Sequence, residues 1–212
     1  LPGFLAATAA WAFDRGWERA RQSRQKYIEA VCDGASHLMT GLAVALPASV
    51  FVENRRRFLA VSAASSVAID IDHVLAARSV QLISCMSMPS RPASHSVLTL
   101  SALAYLAGKA WPGARTELAI GLGLGSHFLR DLATGGAPLF IPRRIVAIPR
   151  PPVAMMIMAL AAAGSWYAGR ILDPARVRRS NPVVLAPEAL VVGARLGRVV
   201  RESRRVRLTE AA

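Results

Sequence analysis

Seven side chains of metal-binding type stand out in this chain: His37, His73, His95 and His127, which are its four histidines, and Asp70, Asp72 and Asp131. Imidazole nitrogen and carboxylate oxygen are the donors that zinc, manganese and iron use. Residues 67–75, VAIDIDHVL, set Asp70, Asp72 and His73 among Val67, Ile69, Ile71 and Leu75. An unpaired carboxylate in apolar surroundings is costly, so each aspartate needs a partner, a metal or water. A helix through this stretch aligns Asp70 with His73, and a strand aligns Asp70 with Asp72; the end of a helix can turn both sets inward. Asp131 follows His127 by four residues and shares its helical face. Taken singly, each histidine is most simply a cap or a satisfied polar core residue. Seven together exceed the donor set of one tetrahedral ion. They predict one or two divalent ions, zinc first and manganese as the alternative, with any surplus donors bonded to the ligands.

The elements that must bring these residues together are apolar. The chain has 212 residues, 53% hydrophobic, and a positive mean hydropathy. Its apolar residues fall in blocks at 38–52, 58–69, 97–106, 118–129 and 153–169. Each block is shorter than the roughly 20 residues of a free-standing span. Five in succession, joined by short arginine-bearing connections, predict an all-α fold: a compact membrane bundle of about five short or tilted helices with a polar metal-type site at one end. Pro89 and Pro92 precede a helix expected near His95, Trp111-Pro112-Gly113 ends it, and Gly135-Gly136 ends the next. With antiparallel neighbours, His37 starts the first helix, His73 follows the second, His95 starts the third, and His127 lies near the end of the fourth. All four histidines then meet at one end. Residues 1–34 are expected to form an amphipathic interfacial segment, 35–170 the membrane-embedded domain, and 171–212 a basic tail.

The net charge of +13 comes mainly from arginine, much of it clustered at 15–26, 55–57, 143–150 and 195–207. Beside apolar helices such clusters are expected to contact anionic lipid head groups. Few aromatic residues interleave with them, so nucleic acid is not an expected partner. Cys32 and Cys85 are too few and too far apart in sequence for a CxxC site or a disulfide framework, and are expected to be inert thiols. No GxSxG motif supports a covalent serine mechanism.

Four ordered pieces carry a family resemblance: SHLMTG at 36–41, DIDH at 70–73, RPASHS at 91–96 and GSHFLRDLATGGAPLFIP at 125–142. In order, spacing and apolar setting they resemble the YdjM-type family of LexA-binding, inner-membrane proteins described as metal-dependent hydrolases. The resemblance implies a multi-pass protein of the bacterial inner membrane, distantly similar to zinc-dependent phospholipase C, in which these histidines and aspartates form the metal site. It also implies a LexA-like regulator as a partner. The chain departs from the family pattern at Ile69, where a proline is usual, at Ser90, where a histidine is usual, and at Ser94, where threonine is usual and the hydroxyl is kept. The change at Ser90 bears on activity more than on fold.

The leading expectation is a membrane-bound metal-dependent hydrolase acting on a phosphoester or lipid-linked ester through a metal-activated water. Asp72 or Asp131 serves as general base, and Arg91 meets developing negative charge. Two other classes stay open: a non-catalytic membrane regulator or scaffold with a structural metal, and an ion or proton transporter.

Overall fold

The computed structural model describes residues 2–88, 91–113, 115–140 and 144–171. Ser90 and the tail from 172 onward therefore lie outside the described residues.

The described chain is almost wholly helical. Helix α1 (Pro2–Gln22) turns at residues 23–25 into α2 (Lys26–Ala48), which continues as a 3-10 turn, Ser49–Phe51. The polar turn after it ends at Asn54, whose side chain accepts a hydrogen bond from the Arg57 amide and so caps α3 (Arg55–Ala68). A 3-10 turn, Ile69–Ile71, carries α3 into α4 (Asp72–Ala77). Arg78 adopts a left-handed conformation, φ +49°, and closes α4. Then come α5 (Leu82–Met86), a 3-10 turn at Ala93–His95, and α6 (Val97–Ala110), capped by the Ser96 hydroxyl. Helix α7 (Thr116–Thr134) stops at Gly135, φ +147°, where a side chain would be strained. A two-residue hairpin, β1 (Ala137–Pro138) against β2 (Ile145–Val146), precedes α8 (Arg150–Ile171).

Among the described residues, three helical runs are long and apolar enough to cross a membrane: Lys26–Phe51, Arg55–Ala77 and Arg150–Gly169. They extend beyond the apolar blocks of the sequence, so His37 lies within α2 rather than at its start, and DIDH continues a helix instead of following its end. The physical reason is that polar residues such as Ser36, His37 and Asp70 interrupt the hydropathy but face other helices, so the helix need not break. The polarity of the molecule is accordingly inverted. Ser36, His37, Ser62, Ser66, His95, His127, Arg130 and Asp131 are buried, while Leu98, Leu103, Met155, Leu160 and Trp166 are exposed. Such a surface suits lipid better than water.

Small residues let the central helices approach closely. Helix α1 packs along α2, α3 lies against both α2 and α7, and α8 covers α1 and α2. Separate apolar clusters join α1, α2 and α8 around Ala43 and Ile157, α6 and α7 around Leu100 and Phe128, and α2, α3 and α7 around Ala45 and Phe58. At the α3–α7 seam a Cβ on Gly123 would meet Ser65 Oγ and the Ser62 carbonyl. Backbone cannot yield there as a flexible side chain could, and close small-residue contacts are the usual source of helix association in lipid. Gly123→Ala is therefore expected to destabilise the protein by roughly 1–3 kcal/mol as an overpacking change. A thermal melt in detergent checks this; an unchanged midpoint would mean that the seam is looser than described.

Candidate metal centre

The site lies where α2, α3, α4 and α7 meet the turn before α6. Helix α7 supplies His127, Arg130 and Asp131, α2 supplies Asp33 and His37, the α3–α4 junction supplies Asp70, Asp72 and His73, and the segment before α6 supplies Arg91 and His95. The 3-10 turn at Ile69–Ile71 brings residues three apart onto one side, which places Asp70 Oδ1 3.7 Å from His73 Nδ1.

At the centre, Asp131 Oδ2 is 2.7 Å from His95 Nδ1 and 3.1 Å from His127 Nε2, and these two nitrogens are 3.2 Å apart. His127 Nδ1 lies 2.8 Å from the Ser66 carbonyl. A carbonyl can only accept, so Nδ1 carries a proton, and in the neutral ring Nε2 is the nitrogen that presents the lone pair. That lone pair faces a carboxylate oxygen, an arrangement that needs a positive charge between them. A backbone carbonyl that fixes the ring of a ligating histidine from behind is the common outer partner in metal sites. For metal bonds of about 2.0–2.1 Å, tetrahedral donors stand about 3.3 Å apart, close to this triangle.

His95 is held from both sides, with Nε2 3.2 Å from Asp72 Oδ1. Burial works against charge on its ring, but the hydrogen bonds to Asp131 and Asp72 outweigh that and raise its pKa to about 9. Without a cation the ring is therefore an imidazolium whose proton fills part of the centre. Asp72 also receives the Ser94 hydroxyl and approaches His73 Nδ1 at 3.0 Å. His37 stacks on His127, with ring centroids 3.8 Å apart. Its Nε2 accepts from Arg130 Nη1 at 2.8 Å and is 3.6 Å from Asp131 Oδ1, while its buried Nδ1 has no hydrogen-bond partner.

All seven side chains singled out in the sequence meet here. Three overlapping sets each place one donor atom per residue within 4.8 Å of the others: His37, His127 and Asp131; Asp70, His95 and His127; and Asp72, His73 and His95. A fourth set, Asp33, His37 and Asp70, adds a residue that the motifs do not include. The charges also fit a cation. Arg91 and Arg130 pair with Asp131, Asp14 and Asp33, while Asp70 and Asp72 face histidine rings. Imidazole nitrogens and carboxylate oxygens so placed could hold a metal ion.

Sequence reasoning missed the residues that hold this set in place. Arg130 is buried and reaches Asp14 on α1 at 2.9 Å and Ser36 at 2.7 Å through Nε, and Asp33 at 2.7 Å through Nη1. Asp33 could have been found from its spacing of four before His37, and Arg130 from its place beside Asp131; nothing marks Asp14. Arg91 Nη2 forms an ion pair with Asp131 Oδ1 at 2.9 Å and donates to Thr134 Oγ1 at 3.0 Å. A cleft of about 490 Å³ reaches the cluster, lined by Asp33, Asp70, His73 and Arg91 on one side and by Trp17 and Met86 among its apolar residues. Cys85 also lines it, and both cysteines are free thiols.

The family model described as YdjM inner membrane protein matches residues 32–200 of the chain. No curated protein and no solved structure matches it.

Proposed function

Because the chain belongs to the YdjM inner membrane protein family, we propose that it is a multi-pass protein of the bacterial inner membrane whose histidine–aspartate cluster holds a divalent metal for hydrolysis of a phosphoester or lipid-linked ester. The observation that carries the metal is His127 Nε2, the ring nitrogen left for a ligand once the Ser66 carbonyl takes Nδ1, set 3.1 Å from Asp131 Oδ2. His95, His127 and Asp131 would hold the ion, with Asp70, Asp72, His73 and His37 around them. A zinc or manganese ion supplies an acidified water and a polarised ester oxygen.

The chain's own residues account for the remaining work. Asp70 lines the cleft and is the carboxylate best placed to take a proton from an incoming water, whereas Asp131 would be engaged by the ion and Asp72 acts through the histidine it holds. Arg91 also lines the cleft and presents a fixed positive charge where a phosphoryl oxygen would gain negative charge. Arg91→Ala is expected to keep the metal and the fold and to lose phosphodiester turnover, whereas His127→Ala loses both metal and turnover. Metal content and a phosphodiester substrate screen read the difference. Equal metal loss in both variants would assign Arg91 a structural role. It would favour the reading that complete burial of His37, His95, His127 and Asp131 supports: a metal that only ties helices together.

The multi-pass arrangement has its own test. Arg55–Ala77 separates the turn at Glu53 from the exposed Ser87 by one crossing. In a background lacking Cys32 and Cys85, Glu53→Cys and Ser87→Cys are expected to react with an impermeant thiol reagent from opposite sides of sealed vesicles. Labelling from the same side would remove this crossing.

A further inference from the structure

Helix α4, which ends the Arg55–Ala77 run, and the short helix α5 after it form a hairpin with an unusual exterior. Their inward residues serve the site: Asp72 and His73 from α4 reach the cluster, and Leu82, Cys85 and Met86 from α5 line the cleft. Their outward residues are aliphatic and far from any packing: Ile71 is 67% exposed, Leu75 75%, Val80 88% and Ile83 56%. A water-facing hairpin has no use for four large aliphatic side chains within 13 residues, and grouped exposed apolar residues mark an interaction surface. Ile71 and Leu75 stand on the last turns of a helical run long and apolar enough to cross the bilayer, so this patch continues a lipid-facing surface. Arg78, at the sharp left-handed turn between α4 and α5, sits where a cation meets anionic head groups.

We infer that the α4–α5 hairpin lies in the head-group layer with Ile71, Leu75, Val80 and Ile83 in lipid, and that the cleft behind α5 opens to the leaflet, so that the site takes an anionic amphiphile directly from the membrane. The cleft's lining has the matching polarity. Arg91, beside the cluster, suits a phosphate end, and Leu82, Met86 and Met88 suit a hydrocarbon chain. The amphiphile as substrate rests on the hydrolase reading; the placement of the hairpin and the opening of the cleft do not.

Photo-crosslinking in phosphatidylethanolamine–phosphatidylglycerol nanodiscs tests both parts without any activity readout. A benzophenone is attached at Ile83→Cys, and separately at Leu82→Cys and Met86→Cys, in a Cys32→Ser, Cys85→Ser background, with Glu53→Cys as the control in a polar turn. Lipid adducts are expected at Ile83 at several times the control yield, and also at Leu82 or Met86. Control-level adducts at Ile83, or adducts there to a second polypeptide instead of lipid, would overturn the membrane placement. Adducts at Ile83 with none at either cleft position would overturn the lateral opening. Lipid adducts at all positions in a protein that cleaves no phosphoester would leave this inference standing and remove the hydrolase reading alone.

Discussion

Replacing Arg130 with methionine is expected to cost about 3 kcal/mol of stability. The guanidinium is buried on α7 and holds Asp14 of α1, Asp33 and Ser36 of α2, and His37 Nε2. Methionine fills much of the same space but leaves two carboxylates facing one another without a cation. Removing one partner from a buried ion pair costs about 3–5 kcal/mol. Asp14 and Asp33 retain some solvent contact, with side chains 27% and 19% exposed, so the lower end of that range applies. A melting midpoint lower by roughly 10 °C is expected for a chain of this size. The triple variant Arg130→Met, Asp14→Asn, Asp33→Asn should recover much of the loss, because the repulsion disappears along with the cation. A single variant as stable as the wild type would show that the network adds nothing to the packing of α1, α2 and α7. Asp14 precedes the family-matched residues, so the rescue also tests whether α1 is an energetic part of the site.

The second large effect concerns the metal itself. Chelator-treated wild-type protein is expected to gain thermal stability on addition of zinc or manganese, by about 4 kcal/mol when the ion is present at roughly a thousand times its dissociation constant. His127→Ala should abolish both the bound ion and the gain, because the only lone pair fixed by the Ser66 carbonyl is lost. Asp72→Asn should weaken binding by about 10–100-fold without abolishing it, since Asp72 acts on the centre through His95 Nε2. Elemental analysis of purified protein and melts across a metal titration separate the two variants. Full metal content in His127→Ala would remove the histidine–aspartate centre as the binding site.

The seven clustered side chains were legible because their types are rare in apolar surroundings, and a buried carboxylate or imidazole must be explained wherever it stands. The helical membrane character was legible for the same reason, since backbone polar groups in lipid must be satisfied within the segment. Helix limits were read too short at α2 and at the α3–α4 run, where polar residues face the interior and hydropathy falls without the helix ending. Asp33 and Arg130 left faint traces in spacing to His37 and Asp131.

What the sequence by itself determined is therefore the set of histidines and aspartates and its apolar, helical setting, because residue type and local periodicity depend on neighbours in the chain. Only the tertiary structure decided which ring atoms face the centre. His127 presents Nε2 to it because a carbonyl 61 residues away holds Nδ1, and Asp14 belongs to the site because Arg130 reaches it across 116 residues. Those relations depend on how closely Gly123 and Gly41 let their helices approach α3. Hydrogen-bond direction and helix separation are set by packing between distant segments, which no local pattern records.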